Sequence, residues 1–416
     1  LPAGGDRMSQ FDALLKKLPP ETRAVIQALW DSVPASQRGN LISLLRSMPD
    51  DASLMRLLLS LSAQQWKQSF GAKQRVAIIG PANTGKSTLY NQLVQSKEDK
   101  ALVSPVPGTT RVTQQADAGL FQVIDTPGAD AAGETGRLER ELALAAAAGA
   151  DILILLFDAV QGIKQAELDL YGQVAALGKP FVVALNKIDL VRREKAAVIQ
   201  NAAGTLGLEA EQVIPISASR GENLGQLITA VAVAEPALVT ALGVALPQYR
   251  WQLAWRNIAS SASIAAVIAL TPLPVIDFAP LLVTQTVMVL GIARIYAYQI
   301  TLERARELAV TFGLGLIGRT LFAQLSKLGG VPGWLLASAI AASTTVVMGV
   351  AAAAWFERGE RLSCDRLDRM TRALTAQLLD MLRHLGRRRP GREALRRSVE
   401  EALNKLDLDE DTPPAG

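Results

Sequence analysis

The sequence predicts an α/β domain on a doubly wound, mostly parallel sheet, flanked by an N-terminal helical segment and a C-terminal all-α, membrane-associated domain. Three observations lead there. Between Arg75 and about Glu235, short apolar runs alternate with helical stretches, the rhythm of strand–helix–strand units in a parallel sheet. Before them, Leu, Ile and Val recur at spacings of three and four, as in short helices. After them come three long stretches without a single charge. The expected division is 1–72 as the N-terminal helical segment and 73–235 as the α/β domain. Next come 236–256 as a linker, 257–356 as the hydrophobic helical domain and 357–416 as a charged helical tail.

Composition narrows the class. Hydrophobic residues make up 49% of the chain against 5% aromatics, and the mean hydropathy is positive. An α/β domain alone rarely reaches that balance, so a membrane segment is expected. A formal net charge of +4 is small for this length and calls for no nucleic-acid partner. Cys364 is the single cysteine, which excludes an internal disulfide and a cysteine zinc site and fits a reducing cytosol. His384 is the single histidine, so histidine chemistry is excluded elsewhere. The opening residues lack a basic start followed by an apolar core and do not read as a signal peptide. Met8 is a candidate start, and 1–7 are left out of fold reasoning.

The N-terminal helices are "FDALLKKL", "RAVIQALWDSV", "NLISLLRSM" and "SLMRLLLSLSAQQW", punctuated by Pro19-Pro20, Pro34 and Pro49. They read as an appendage packed on its neighbour in preference to a membrane-surface arm. The expected strands are "RVAIIG", "LFQVID", "DILILLFDA", "FVVALN" and "QVIPISA". Four are apolar throughout, as strands buried on both faces should be, and ligands then bind at the strands' carboxyl ends.

In the C-terminal part, Asn257–Ile276, Phe278–Ala293 and Leu328–Phe356 carry no charge. A bilayer span needs roughly 20 apolar residues, so the third stretch qualifies outright and the first qualifies on length. "TPLP" (271–274) and Asp277 interrupt the first two stretches, so 257–293 reads as a helical hairpin turning at Pro272 to Pro280. The small residues of "ASAIAASTTVVMGVAAAA" suit close helix packing. Insertion or tight membrane attachment is the favoured reading, and a water-soluble bundle that hides its apolar faces is the other. Asp277 and Arg294 are awkward in lipid but lie near segment ends, where the cost is lower. The basic run "RHLGRRRPGR" (383–392) either faces anionic headgroups or is a solvated helix face.

The chemistry is concentrated in the α/β domain. Gly80 to Ser87 match G-x-x-x-x-G-K-S after an expected strand and at the start of an expected helix, the context this phosphate loop requires. Gly80, Asn83, Thr84, Gly85, Lys86, Ser87 and Thr88 would form the anion cradle. Lys86 would reach the outer phosphates and Ser87 would ligate Mg²⁺. "PGTTR" (107–111) offers Thr110 as a hydroxyl capping Mg²⁺ and the γ-phosphate. "DTPG" (125–128) offers Asp125 to hold Mg²⁺ through water and the Gly128 N–H to meet the γ-phosphate. In "NKID" (186–189), Asp189 can accept both donors on the edge of guanine, an arrangement adenine cannot satisfy. Asn186 would brace the loop and the Lys187 stem would lie along the base. "SAS" (217–219), through Ser217 and Ala218, would supply a backbone contact to the guanine oxygen. The five pieces in this order describe a P-loop GTPase domain that binds GTP and GDP.

The combination "GPANTGKSTLYNQL", "PGTTR", "DTPG", "NKID" and "ISASRGENLGQL" resembles the Era, TrmE and EngA group of bacterial GTPases over roughly 74–234. The resemblance implies a K⁺ ion between the phosphates, bound with help from Asn83 and supplying charge that an arginine finger gives elsewhere. The other reading of Asn83 is that it tolerates the loop's backbone angles. Ala129 stands where Ras-like GTPases place a water-orienting glutamine. Glu134 is a candidate for holding the water through an intermediary, or an ordinary solvated loop acid. Lys86, Thr110, Gly128 and Asn83 are therefore the candidate catalytic groups of a slow GTPase. Residues 245–358 resemble the YcjF-like domain of unknown function, which implies membrane association.

The expectation is a GTP-hydrolysing switch at the cytoplasmic face of the inner membrane, with membrane lipid as a partner. The competing readings are a GTP-dependent membrane scaffold, with a nucleotide-dependent dimer, and an RNA or ribosome assembly GTPase.

Overall fold

The computed structural model describes residues 75–94, 110–111, 120–125, 141, 143–270, 279–300, 305, 308, 332–359, 362–386, 388 and 390–405. The expected N-terminal helices lie outside the described residues. Contacts divide the chain into two units. One holds Lys73–Ala101 and Thr113–Gln252; the other holds Leu253–Gly416 with Leu102–Val112 and Leu1–Ala72.

The first unit is the α/β domain. Its strands are β1 (Val76–Gly80), β3 (Phe121–Asp125), β4 (Ile152–Asp158), β5 (Phe181–Asn186) and β6 (Val213–Pro215). All five runs expected as strands are present, in one sheet of order β3-β1-β4-β5-β6, and every pairing is parallel. The apolar runs of β1 and β4 are buried along their whole length, because a parallel sheet covered on both faces leaves no solvent side. The helices are α1 (Lys86–Val94), α2 (Gln165–Ala176), α3 (Lys195–Leu206), α4 (Leu224–Ala234) and α5 (Val239–Ala245).

Strand order places the site. After β1 the chain adds β3 on one side and then β4 on the other, so the order reverses around β1. A doubly wound sheet opens its ligand crevice beyond the carboxyl ends at such a point. Gly80 ends β1 there, and a Cβ on it would collide with the Leu156 carbonyl of β4. Register sets Asp125 opposite Gly80 and Asn186 opposite Asp158.

The stretch 236–256, expected as a linker, is helical. It forms a 3₁₀ turn at Pro236–Leu238, then α5, a second turn at Pro247–Tyr249, and the start of α6 (Arg250–Leu270). Leu238, Val239, Leu242 and Leu246 are buried, and Gln248 Nε2 donates to the Leu93 carbonyl of α1 at 3.2 Å. Apolar residues at spacings of three and four pack this stretch against the α/β domain.

The second unit is helical: α6, α7 (Ala279–Ile295), α8 (Gly333–Arg358), α9 (Cys364–Leu382) and α10 (Arg392–Asn404). α6 and α7 flank the expected turn at Pro272 to Pro280, whose residues 271–278 are outside those described. The helices are joined by polar bonds across their faces. Asn257 Nδ2 of α6 donates to the Met288 carbonyl of α7 at 3.2 Å. Gln285 Nε2 of α7 donates to Thr345 Oγ1 of α8 at 3.3 Å. Ser338 Oγ of α8 donates to the Ala266 carbonyl of α6 at 3.0 Å. Such bonds satisfy polar groups inside the bundle, and small residues let the helices approach closely. Gly349 shows the close contact, since a Cβ there would meet Ile258 Cγ1 at 2.5 Å.

The charged tail forms two amphipathic helices. α10 buries Leu395, Val399, Ala402 and Leu403, and its Glu400 Oε1 accepts from Ser263 Oγ of α6 at 3.1 Å. Two short strands complete this unit. β2 (Thr110–Arg111) pairs antiparallel with β7 (Tyr298–Gln299), with Thr110 opposite Gln299 and Arg111 opposite Tyr298.

Candidate nucleotide-binding site

The phosphate loop leaves β1 at Gly80 and enters α1 at Lys86. Within it Asn83 has φ 64° and Gly85 φ 92°, left-handed angles that turn successive backbone groups toward one side. Asn83 is exposed, and asparagine is among the few residues with a side chain that accept this region readily. Its role in shaping the loop is thus visible in the backbone. Ser87 and Thr88 stand exposed in the first turn of α1, at the positive end of the helix dipole, and that turn carries no acidic residue. Lys86 is buried, its ammonium held by the Gly80 carbonyl at 2.7 Å and the Pro81 carbonyl at 2.5 Å. An anion is favoured in such a place by backbone dipoles and by charge together.

Asn186, at the end of β5, joins three loops. Its Nδ2 donates to the Thr84 carbonyl at 2.8 Å, and its Oδ1 accepts from the Ala218 N–H at 2.9 Å. All three residues are buried. Asn186 thus ties its turn to the phosphate loop and to the loop after β6, and the Ala218 N–H, expected to face a base oxygen, meets Asn186. The fit around Gly85 is equally close, because a Cβ there would collide with Asn186 Nδ2.

Lys187 takes φ 66° and donates from Nζ to the Asn83 carbonyl at 2.7 Å and to Asp158 Oδ2 at 2.6 Å. Asp158, at the end of β4, is almost fully buried. Its Oδ1 also accepts from the Val160 N–H at 2.8 Å. The Lys187 stem thus runs between the NKID turn and the phosphate loop. Asp158 was not singled out from the sequence; the signal was an acid closing a wholly apolar run.

Asp189 follows in a single 3₁₀ turn, Ile188–Leu190. Its side chain is 7% exposed, and Oδ2 lies 3.2 Å from Arg220 Nε. Its Oδ1 is buried and has no hydrogen-bond partner among the described residues. The Ser217 hydroxyl beside it holds the carboxyl below the ordinary aspartate value, with a smaller contribution from Arg220 and against the pull of burial. It is therefore a charged acceptor with unused capacity, on the turn that follows the carboxyl end of β5.

For the metal, Asp125 ends β3 opposite Gly80, and Ser87 is in the first turn of α1. Ser87 offers a hard oxygen beside the phosphate cradle of the kind Mg²⁺ takes, and a bound Mg²⁺ would neutralise phosphate charge. The backbone of Thr110 lies in β2. Gly128, Ala129 and Glu134 fall outside the described residues.

Residues 75–187 match the family described as 50S ribosome-binding GTPase, and residues 237–384 match a domain of unknown function, DUF697. The chain joins a GTPase domain to a DUF697 domain. The GTPase domain is similar to GTPase Der of Solidesulfovibrio magneticus, 36% identical over 38% of this chain and 35% of that protein. It is also similar to GTPase Der of Bartonella tribocorum, 40% identical over 38% of this chain and 33% of that one. The tRNA modification GTPase MnmE of Synechocystis is 34% identical over 43% of this chain and 42% of its own length. The chain thus spans between 33% and 42% of these relatives. Among solved structures, Aquifex aeolicus Era Y63A bound to GDP and AlF₄⁻ is similar at 23% identity, covering 48% of this chain and 68% of that one, with a TM-score of 0.31.

Proposed function

We propose that the protein binds and hydrolyses GTP, and that its nucleotide state is passed to the DUF697 domain at the cytoplasmic face of the inner membrane. One observation carries the nucleotide assignment: the ionised Asp189 carboxylate has a buried oxygen without a partner among the described residues, on a turn tied to the phosphate loop through Asn186 and Lys187. Guanine brings two adjacent donors to such a group, whereas adenine sets its amine donor beside a ring-nitrogen acceptor and cannot match both oxygens. Leaving buried polar groups unmatched costs on the order of 10⁴-fold in selectivity. The names of the relatives support hydrolysis, and Mg²⁺ with GTP or GDP are the expected ligands.

Phosphoryl transfer asks the protein mainly for positioning and charge. Lys86 supplies one positive charge, and in this reading a K⁺ ion beside Asn83 supplies another. Turnover of GTP and ATP by the full chain, in KCl and NaCl at equal ionic strength, tests both statements. GTP is expected to be the substrate and to turn over severalfold faster in KCl. Equal rates in the two salts would remove the cation, and equal use of ATP would remove the guanine assignment.

Two helices, Pro247–Leu270 and Gly333–Arg358, are long and apolar enough to cross a bilayer. A second reading of this domain rests on burial: 78% and 94% of their apolar windows are enclosed by protein. That favours a bundle closed on itself, attached to the membrane at its periphery. Cell fractionation followed by an alkaline carbonate wash separates the two. An inserted domain stays with the pellet, a peripheral one is released, and protein that is soluble before any wash would end the membrane assignment. A nucleotide-dependent scaffold with incidental hydrolysis is the competing role, and it predicts assembly with GTP analogues as complete as with GTP.

A further inference from the structure

Arg220 is unused by the reading above, yet it touches the residue that carries it. It lies in the loop after β6, which is closed by a reciprocal pair of backbone bonds between Ser217 and Glu222 at 3.1 Å each. Inside that closure the Arg220 N–H donates to Ser217 Oγ at 3.3 Å, and Ser217 Oγ and Ser219 Oγ are 3.2 Å apart. The backbone that launches the side chain is thus held in place, while the side chain itself is 55% exposed. Its Nε reaches Asp189 Oδ2, leaving Oδ1 as the bare oxygen.

Guanine presents its ring N–H and its exocyclic amine side by side, so it needs both oxygens of one carboxylate in a single plane. Arg220 holds one of those two oxygens. The carboxylate is 7% exposed and fixed by its surroundings, whereas the guanidinium is half in solvent and is free to swing outward. When two donors want one acceptor, the exposed one gives way at the smaller cost.

We propose that Arg220 competes with the guanine base for Asp189, acting as a built-in counter-ion that weakens nucleotide affinity and speeds release. The inference rests on the assignment of Asp189 to the base. Arg220 is thereby a tuning residue of the nucleotide cycle, keeping the recognition carboxylate paired while nucleotide exchanges. It sets a lower affinity and a faster exchange than the same loops would have without it.

The test compares the wild-type full chain with Arg220→Ala and Arg220→Gln, measuring equilibrium binding and release of fluorescent GDP, together with thermal unfolding of the nucleotide-free protein. Removing a competing ion pair of this exposure should tighten GDP by roughly twofold to fivefold, mainly through slower release. The unfolding temperature without nucleotide should stay level or fall slightly. This opposite movement separates competition from a structural role, in which loss of the arginine would weaken both. Unchanged or weaker GDP binding by a folded Arg220→Gln protein would overturn the proposal. Asp189→Ala provides the control on the underlying assignment: if it leaves GDP binding intact, the base reading fails and the proposal with it. If Asp189→Ala abolishes binding while Arg220→Gln changes nothing, the competition alone is wrong.

Discussion

Asp189→Asn is expected to exchange the preferred nucleotide of this protein from GTP to xanthosine triphosphate. The carboxylate now offers two acceptors, one to Arg220 Nε at 3.2 Å and one without a partner. An asparagine replaces one acceptor with an N–H₂ donor, which points at guanine's own amine. Xanthine carries a carbonyl where guanine carries that amine, so it accepts the new donor. The loss for GTP should approach the on-the-order-of-10³- to 10⁴-fold that follows from leaving buried hydrogen-bonding groups mismatched. The fold should survive, because Arg220 is half-exposed and exposed ion pairs contribute about 0–1 kcal/mol. Competition of unlabelled GTP and xanthosine triphosphate against a fluorescent analogue reads the outcome. A variant that still prefers GTP would show that Asp189 does not read the base.

The second large effect is at Asn186. This buried side chain accepts from the Ala218 N–H and donates to the Thr84 carbonyl. Asn186→Ala leaves a donor and an acceptor unsatisfied, each at about 1–3 kcal/mol, so a loss of about 2–5 kcal/mol is expected. For a domain of this size that lowers Tm by roughly 5–15 °C, and nucleotide binding should fall with it because the phosphate loop loses its brace. Asn186→Asp should be worse than Ala: the carboxylate cannot donate, and it places negative charge against the Thr84 carbonyl. Gly85→Ala should be comparably harmful, since its Cβ meets Asn186 Nδ2 and its φ of 92° is unfavourable for any side chain. Differential scanning calorimetry on the three variants checks the order. An Asn186→Ala protein that unfolds at the wild-type temperature would mean that the tie between the loops is dispensable.

Much of the α/β domain was legible because its signals are local. A buried strand reads as an apolar run, and the phosphate loop must follow one strand and open one helix within a few residues. Asn186 was assigned its bracing role on the same basis, and it makes that contact. Asp158 was harder, because an acid ending an apolar run acquires meaning only when β4 lies beside β5 and delivers it to Lys187. Arg220 was invisible for a similar reason: a turn arginine is an ordinary solvated residue until the fold sets it 3.2 Å from Asp189. Strands β2 and β7, two residues each, are too short for any periodicity. The stretch 236–256 is helical, and its buried leucines, Leu238, Leu242 and Leu246, become visible only in the packed fold.

The sequence by itself determined that a phosphate-loop motif, an NKID turn and long uncharged stretches exist, since each rests on composition or on spacing along a single segment. Only the tertiary structure decided which side chains hold those pieces together. It also shows how far the apolar helices are packed: α8 has the length and apolarity of a membrane span, and 94% of its apolar window is buried within the fold. Burial counts apolar area removed from water and is indifferent to whether lipid or another helix removes it, so no run of letters along one helix could have made that choice.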